Sequence, residues 1–396
     1  MGLNSTPNAN RVHISFFGLR NAGKSSLVNA VTNQDIAVVS NVKGTTTDPV
    51  SKSMELLPLG PVLITDTPGF DDEGELGEKR VQKTMQVLSK TDIAVLVSDA
   101  TRDLCDLEKE LIEVFKAKKI PYVIAFNKCD IGKAHSKNEK NVIYTSATEK
   151  VNIEEFKNLL ASFNNSNDEK RLLGDLISKE DVVVLITPID ESAPKGRMIL
   201  PQVQAIRDIL DSDAICVVTK ENTYEKTLQI LGDRVKLAVC DSQVFDLINK
   251  LTPPEIKLTS FSILMARFKG YLKEAFESIK VIDSIKDDDV ILISEGCSHH
   301  RQCGDIGTVK LPNLIKKYTG KNPVFEFTQG TEFPNGLEKY SLVIHCGGCM
   351  LNEREVQSRM ETSLNKGVPF SNYGIAIAYM NGIIKRSTEI FPELQI

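Results

Sequence analysis

Short apolar runs alternate with amphipathic stretches from the start of the chain to about Asn164. The runs are rich in β-branched and aromatic residues, which favour strands, and we predict strands at Val12–Phe17, Val62–Thr65, Ile93–Ser98, Tyr122–Phe126 and Val142–Tyr144. Strands that alternate with helices are typical of a parallel sheet covered by helices on both faces. The polar stretch Asn164–Lys170 follows and predicts a linker.

The alternation resumes after this linker in a smaller α/β segment that extends to about Leu251. Its predicted strands are Val182–Thr187, Ala214–Thr219 and Val235–Cys240, and its predicted helices lie near Gln202–Asp211, Tyr224–Leu231 and Val244–Lys250. Three strands make a thin sheet, so a second copy of the chain could complete it at a face or an edge. We therefore expect this segment to form a homodimer.

The pair Pro253-Pro254 ends this pattern, and a third α/β segment follows. It contains one long predicted helix from about Ser260 to Ile279, then strands and helices near Val290–Ser294, Val324–Phe327, Ser341–His345, Glu353–Asn365 and Tyr373–Ile383. We predict an α/β protein with three domains, which span residues 1–166, 167–255 and 256–396.

Composition excludes several classes of protein. Of 396 residues, 41% are hydrophobic and 26% are charged, as in ordinary globular proteins. The net charge of −5 supplies no general attraction for nucleic acid, and we expect no nucleic-acid partner. No apolar run approaches the ~20 residues that a membrane-spanning helix needs, and the polar N-terminus lacks the apolar segment of a secretory signal. We therefore expect no membrane partner and a cytoplasmic location.

A phosphate-binding motif lies between the first predicted strand and the following helix. The sequence Gly18-Leu-Arg-Asn-Ala-Gly-Lys-Ser25 matches G-x-x-x-x-G-K-S in the required strand–loop–helix context. In this motif backbone N–H groups surround the phosphates, Lys24 reaches the β- and γ-phosphate oxygens, and the Ser25 hydroxyl binds Mg²⁺. The nucleotide-binding residues predicted here are Gly18, Asn21, Ala22, Gly23, Lys24, Ser25 and Ser26.

Further motifs identify the nucleotide as GTP, with GDP as product. Asp66-Thr-Pro-Gly69 follows a strand, which suits Asp66 for Mg²⁺ and Gly69 for sensing the γ-phosphate. Asn127-Lys128-Cys-Asp130 ends another strand, where the Asp130 carboxylate can accept hydrogen bonds from guanine N1 and N2. Adenine lacks these donors, so the sequence predicts a GTPase. The pair Ser146-Ala147 is similar to the last base-contacting loop of such proteins.

The first segment resembles the potassium-activated GTPases related to Era and TrmE. Asn21 stands where that group places an asparagine for K⁺, and Thr46 in Gly44–Asp48 matches its first switch, which implies a role as Mg²⁺ ligand. Phe70 stands where Ras-like proteins have a glutamine that orients water. The resemblance implies slow hydrolysis that responds to K⁺ or a partner, with Lys24, Thr46 and Gly69 as catalytic residues. A residue of Asp71–Glu73 is an alternative group for the water.

Cysteine and histidine cluster in the third segment. The pattern is Cys297-Ser-His299, then a long insertion, then His345-Cys346-Gly-Gly-Cys349. Three thiolates can hold a [4Fe-4S] cluster with one iron left for His299, His345 or Asp305. The same residues could instead form a tetrahedral Cys₃His zinc site.

The combination of a GTPase segment, a middle α/β segment and a C-x-H…H-C-x-x-C segment resembles HydF, the family of [FeFe]-hydrogenase maturation GTPases, over essentially the whole chain. The resemblance implies a [4Fe-4S] cluster on Cys297, Cys346 and Cys349, with His299 or His345 as fourth ligand or neighbour of the ligands. It also implies a scaffold that receives a transient di-iron precursor from two radical-SAM maturases and passes it to apo-[FeFe]-hydrogenase.

Two alternatives remain at this point. One is an Era-like ribosome-assembly GTPase with a structural zinc domain, although no basic stripe or KH-type loop for RNA is evident in the sequence. The other is a redox enzyme with Cys346 and Cys349 as an exchanging dithiol, which leaves Cys297 and His299 without a role.

Overall fold

The structure is a computed structural model that describes residues 6–33, 49–69, 83–132, 140–163, 170–189, 198–297, 305–334 and 336–394. The chain divides into two compact units, Met1–Asp168 and Glu169–Ile396. Both units are α/β, and their sheets are almost entirely parallel, as the alternating pattern predicts.

The first unit contains one six-stranded sheet in the order β2-β3-β1-β4-β5-β6. Its strands are β1 (Val12–Phe17), β2 (Val50–Leu56), β3 (Gly60–Asp66), β4 (Ile93–Asp99), β5 (Tyr122–Asn127) and β6 (Val142–Tyr144). Helices Lys24–Thr32, Asp106–Ala117 and Ile153–Ser162 pack against it, and residues 83–88 are also helical. The sequence analysis missed β2, an antiparallel edge strand, because its mostly exposed and polar residues give no buried apolar run.

The second unit contains two four-stranded parallel sheets. The first has the order β10-β9-β7-β8, with strands β7 (Val182–Ile186), β8 (Ile215–Thr219), β9 (Val235–Cys240) and β10 (Lys257–Ser260). Its helices are Leu200–Asp211, Tyr224–Leu231 and Phe245–Leu251. The expectation of three strands here was one too few, because β10 lies beyond Pro253-Pro254 and its four residues are too short for a clear pattern.

The second sheet of this unit has the order β12-β11-β13-β14. Its strands are β11 (Val290–Glu295), β12 (Val324–Gln329), β13 (Tyr340–His345) and the short β14 (Phe370–Asn372), and its helices are Phe261–Phe268, Leu272–Ser278, Leu311–Thr319, Glu353–Asn365, Tyr373–Met380 and Ile384–Thr388. The predicted single helix from Ser260 to Ile279 is wrong: Gly270 adopts a left-handed φ of 74°, which ends the first helix and separates it from the second.

One continuous apolar core joins the two sheets of the second unit, whereas the sheet of the first unit has its own core on each face. Within the described residues no helix is long and apolar enough to cross a membrane. In every sheet the loops that carry the predicted chemistry follow the carboxyl ends of strands, where ligands of open parallel sheets bind.

Candidate nucleotide and metal sites

The phosphate-binding loop connects β1 to the helix Lys24–Thr32, and its backbone requires glycine at two positions. A Cβ on Gly18 would lie 2.2 Å from the Val97 carbonyl oxygen, and one on Gly23 would lie 2.2 Å from Asn127 Nδ2. Both glycines also have positive φ, 151° and 88°. A loop held this close to its neighbours leaves its N–H groups directed at the start of the helix, where phosphate binds.

Lys24 lies over this loop. Its Nζ donates hydrogen bonds to the carbonyl oxygens of Gly18 (2.9 Å) and Leu19 (2.8 Å), and the residue is buried. A lysine ammonium group at this position carries a positive charge within a partly dehydrated pocket, where it attracts phosphate strongly. The geometry therefore fits the role that the motif predicts for Lys24.

Ser25 and Asp66 come together beside the loop, as expected for a Mg²⁺ site. Ser25 Oγ donates to Asp66 Oδ2 at 2.6 Å, while the buried Asp66 Oδ1 has no hydrogen-bond partner in the described part of the chain. Burial raises the pKa of Asp66, against the opposing effects of the Ser25 hydrogen bond and the Lys24 charge. A buried carboxylate oxygen beside a hydroxyl is a donor set that suits a hard cation such as Mg²⁺.

Asn127 connects the three loops that the motifs place around a nucleotide. Its Nδ2 donates to the Ala22 carbonyl oxygen at 3.2 Å, and its Oδ1 accepts from the Ala147 backbone N–H at 3.1 Å. Ser146 is fully buried, while Asp130 is exposed at the end of the same loop as Asn127. The structure thus brings the phosphate loop, the Asn127–Asp130 loop and the Ser146-Ala147 loop to one site.

Asp99 was missed by the sequence analysis, although it lies at this site. Its Oδ2 accepts from Lys128 Nζ at 2.7 Å. Burial alone would raise the pKa of Asp99, but the hydrogen bonds from Lys128 and Thr101 outweigh burial and lower the pKa to about 2. Asp99 is therefore charged at neutral pH and orients Lys128. A lone aspartate at a strand end gives no motif, so only the fold could find it.

Some predicted residues lie outside the described residues, namely Thr46, Phe70, Asp71–Glu73 and His299. Gly69 is the last described residue of its segment, and Ser26 is half-buried in the first turn of the helix Lys24–Thr32.

The predicted cysteine loop follows β13 in the second unit. Cys346 Sγ accepts hydrogen bonds from the backbone N–H groups of Gly296 (3.1 Å) and Gly348 (3.4 Å). Gly348 has a left-handed φ of 63°, which turns the loop between Cys346 and Cys349. Gly296 immediately precedes Cys297, so β11 brings the third cysteine's backbone next to Cys346. Hydrogen bonds from N–H to sulfur are features of iron–sulfur thiolates.

Cys346 and Cys349 are free thiols. Burial raises the pKa of Cys346, and burial together with the nearby Cys346 raises the pKa of Cys349 to about 12. Because exchanging dithiols depend on a lowered thiol pKa, this environment disfavours the redox-enzyme alternative. In a metal centre the cation itself replaces the proton.

Lys269 anchors the end of this loop, and sequence reasoning missed it. This lysine is buried, and its Nζ donates to the Leu351 carbonyl oxygen at 2.8 Å. Its charge lowers the pKa of Cys349, although burial has the larger, opposite effect. Lysine is rarely buried without a partner of this kind, so an excess of charge in an apolar stretch near Gly270 was the only available sequence signal.

His345 lies within the core behind the cysteine loop. Its side chain is fully buried and stacks on Phe370, with ring centroids 5.7 Å apart. Its Nδ1 is 2.7 Å from the Cys346 carbonyl oxygen, and its Nε2 is 3.2 Å from Arg359 Nη1. Burial and the Arg359 charge lower the pKa of His345 to about 3, so the ring is neutral at neutral pH.

Among the described residues, no three His, Cys, Asp or Glu side chains come close enough together to hold a metal ion. The structure therefore brings together two of the predicted cysteine ligands and the backbone before the third. Asp305, the carboxylate candidate, caps the following helical turn by accepting from Thr308 N at 2.9 Å.

Comparison with known proteins agrees with these two kinds of site. Residues 13–128 match the family profile described as 50S ribosome-binding GTPase. The tRNA modification GTPase MnmE of Thermoanaerobacter sp. (strain X514) is 29% identical over 212 residues, which are 51% of this chain and 44% of that protein. GTPase Der of Sulfurimonas denitrificans is 34% identical over 126 residues, which are 31% of this chain and 25% of that protein. The chain thus spans less than half the length of these relatives.

A solved structure with a related fold is Era of Aquifex aeolicus bound to GDP·AlF₄⁻, at 19% identity, 56% of this chain, 98% of that chain and a TM-score of 0.35. The fold, the motifs and the sequence relatives together define the first unit as a P-loop GTPase, and the prediction of GTP hydrolysis is confirmed.

The remainder of the chain identifies the family. Residues 172–270 match the hydrogen maturase F dimerization domain, and residues 273–390 match the hydrogen maturase F tetramerization domain. The chain belongs to the hydrogen maturase F (HydF) family, which confirms the resemblance seen in the sequence. Domains of these two kinds also support self-association of the chain.

Proposed function

We propose that this protein is a GTP-hydrolysing scaffold that binds a [4Fe-4S] cluster and transfers a di-iron precursor to apo-[FeFe]-hydrogenase. The observation that carries the proposal is the Cys346 loop, in which two backbone N–H groups donate to one cysteine sulfur. Membership of the HydF family supports the partners, which would be radical-SAM maturases as the source of the precursor and the hydrogenase as its acceptor.

Cys297, Cys346 and Cys349 would hold the cluster, and His299, His345 or Asp305 are the candidates for its fourth iron. A cluster with three protein thiolates offers one iron that can exchange its ligand. The neighbouring residues would support the thiolates, since Gly296 and Gly348 donate to the Cys346 sulfur and Lys269 places a positive charge near Cys349.

The test is iron, sulfide and zinc per chain after anaerobic reconstitution, with an electron paramagnetic resonance spectrum of the dithionite-reduced protein. About four irons and four sulfides with a reduced-cluster signal would support the proposal. One zinc without labile sulfide would contradict it and favour a GTPase with a structural zinc domain, the ribosome-assembly alternative.

GTP turnover would act as a switch on partner binding or precursor release, because switch loops reorder when the γ-phosphate is lost. Lys24 would contact the β- and γ-phosphates, Ser25, Thr46 and Asp66 would bind Mg²⁺, and Gly69 would sense the γ-phosphate. Asn127, Lys128, Asp130, Ser146 and Ala147 would surround the guanine base.

Asp130→Asn is expected to change base specificity. The carboxylate accepts from guanine N1 and N2, whereas an amide offers one acceptor and one donor, which match xanthine N1–H and O2. Loss of one charged hydrogen bond and conflict at the other should lower GTP affinity roughly 10²-fold and improve XTP affinity. Titration with fluorescent nucleotides measures both, with Asp103→Asn as an exposed control. Equal GTP affinity in Asp130→Asn and the parent protein would refute the assignment.

Asn21 is proposed to bind K⁺ beside the phosphates. It has a left-handed φ of 58°, which asparagine tolerates better than most residues. Hydrolysis is expected to be about tenfold or more faster in KCl than in NaCl, because a bound cation stabilises charge on the phosphates, and Asn21→Ala should remove the difference. Asn33, with φ of 50°, gives a matched control in Asn33→Ala. A K⁺ effect that survives in Asn21→Ala would assign the cation to other groups.

We propose further that β8 forms the homodimer contact. This strand is an edge of its sheet, and Ile215 and Val218 are 50% and 45% exposed. On the adjacent helix Leu200–Asp211, Val203 and Leu210 are also exposed. An exposed apolar edge strand is a template for pairing with another strand, and here a second copy would cover it.

Val218→Lys is therefore expected to weaken the dimer by roughly tenfold or more, because a lysine charge cannot be buried in an apolar contact without a partner. Light scattering after size-exclusion chromatography over a range of concentrations measures the dimer fraction. Leu107→Lys, at a residue that is 47% exposed in the first unit, is the control. An unchanged dimer in Val218→Lys would place the contact elsewhere.

A further inference from the structure

A buried polar chain extends from the helix Glu353–Asn365 to the cysteine loop. Arg359 Nη2 donates to Glu355 Oε1 (2.8 Å) and to the Gly330 carbonyl oxygen (2.6 Å), while Nη1 lies 3.2 Å from His345 Nε2. His345 Nδ1 in turn lies 2.7 Å from the Cys346 carbonyl oxygen. Arg359 and Glu355 are both buried, and His345 is fully buried.

The hydrogens in this chain follow from the chemistry of the groups. A guanidinium group has five donors, accepts nothing and stays protonated in proteins, so Nη1 donates and His345 Nε2 accepts. A neutral imidazole has one acceptor nitrogen and one donor nitrogen, so the proton is on Nδ1 and is donated to Cys346 O. Arg359 therefore fixes a single tautomer of His345.

Both ring nitrogens of His345 are engaged in this arrangement. A metal could bind only Nε2, the nitrogen with the lone pair, and that lone pair accepts from Arg359. Ligation would require the ring to turn away from Phe370 and would leave a buried guanidinium group short of a partner. The packing around Gly348, where an added Cβ would lie 2.9 Å from Val356 Cγ2 and 3.6 Å from His345 Cε1, also resists such a turn.

We infer that His345 is not a ligand of the metal centre but a positioning residue, and that Arg359, acting through His345, holds the Cys346–Cys349 loop in its binding geometry. The hydrogen bond to Cys346 O holds the backbone of the first cysteine of the loop, while Gly296 and Gly348 hold its sulfur. This inference rests on the proposed cluster and narrows the candidates for the fourth iron.

The first test is electron spin-echo spectroscopy of the reduced cluster in the parent protein and in His345→Asn. Asparagine is chosen because its Nδ2 can take the place of the Nδ1 donor to Cys346 O. We expect the same ¹⁴N couplings in both proteins, whether or not a histidine coupling is present. A histidine coupling that disappears in His345→Asn would make His345 a ligand and overturn the inference.

The second test is the rate at which a chelator removes iron from the reconstituted full-length protein. Because a buried hydrogen bond is lost, His345→Ala and Arg359→Met should each release iron about tenfold faster, and His345→Asn should restore a rate near the parent's. The double variant His345→Ala/Arg359→Met should be no faster than either single variant, since both act on one contact. Arg354→Met, on the same helix, is the control.

The outcomes distinguish the proposed function from the role of Arg359. A parent protein that assembles no iron–sulfur cluster would refute the proposed function itself. A parent with a full cluster whose release rate is unchanged in Arg359→Met, or additive in the double variant, would refute only the role of Arg359. Circular dichroism of each variant without metal identifies any that fail to fold, and the spin-echo comparison with His345→Asn still decides whether His345 is a ligand.

Discussion

Lys24→Ala is expected to lower GTP hydrolysis by roughly 10²-fold or more, because it removes the ammonium group that neutralises charge on the β- and γ-phosphates in the transition state. The same substitution leaves the Gly18 and Leu19 carbonyl oxygens without their lysine donor, so a modest loss of stability should accompany it. Phosphate release at saturating GTP measures the rate, and a thermal melt separates the two effects.

Lys109→Ala provides the control, since Lys109 is exposed and forms only a surface ion pair with Asp106 among its described contacts. Its hydrolysis rate should equal the parent's. The coupling of GTP to cluster transfer has its own readout, the yield of active hydrogenase from a maturation reaction. If Lys24→Ala abolished hydrolysis and the yield stayed the same, GTP turnover would not be the switch that we propose.

Cys349→Ala should reduce bound iron from about four per chain to below about one, because two thiolates cannot hold a [4Fe-4S] cluster firmly. Iron and sulfide analysis after reconstitution gives the result, together with loss of the reduced-cluster resonance. GTP hydrolysis should not change, since the cysteine loop belongs to the second unit and the nucleotide motifs belong to the first.

Cys216→Ala is the matched control for this variant, because Cys216 is also a half-buried free thiol of the second unit but lies on β8. It should retain the full cluster. Equal iron content in Cys349→Ala and Cys216→Ala would show that Cys349 is not a ligand.

The strands were predictable where they are buried and long. β1 and β6 match their predicted bounds, and the helix Glu353–Asn365 does so too, because each has a clear apolar pattern and ends at polar residues. The exposed β2 and the short β10 and β14 were missed, since an edge strand or one of three or four residues is specified by its neighbours and not by its own pattern.

The site residues divide in the same way. Gly18, Lys24, Asp66 and Asn127 were found because binding a nucleotide demands particular residues at particular spacings, and such spacings are visible in one dimension. Asp99 and Lys269 were not found, because a single charged residue has no spacing, and only the packed structure brings it to Lys128 or Leu351.

The sequence by itself determined that this protein is an α/β GTPase of the HydF family with a cysteine-rich third segment, because local motifs and strand–helix alternation are properties of the chain's order. Only the tertiary structure decided how His345 is used. From the sequence it is a histidine beside a cysteine, equally suited to bind metal. In the fold, Arg359 arrives from a helix that is distant from β13 in sequence, and its guanidinium group occupies the nitrogen that a metal would need.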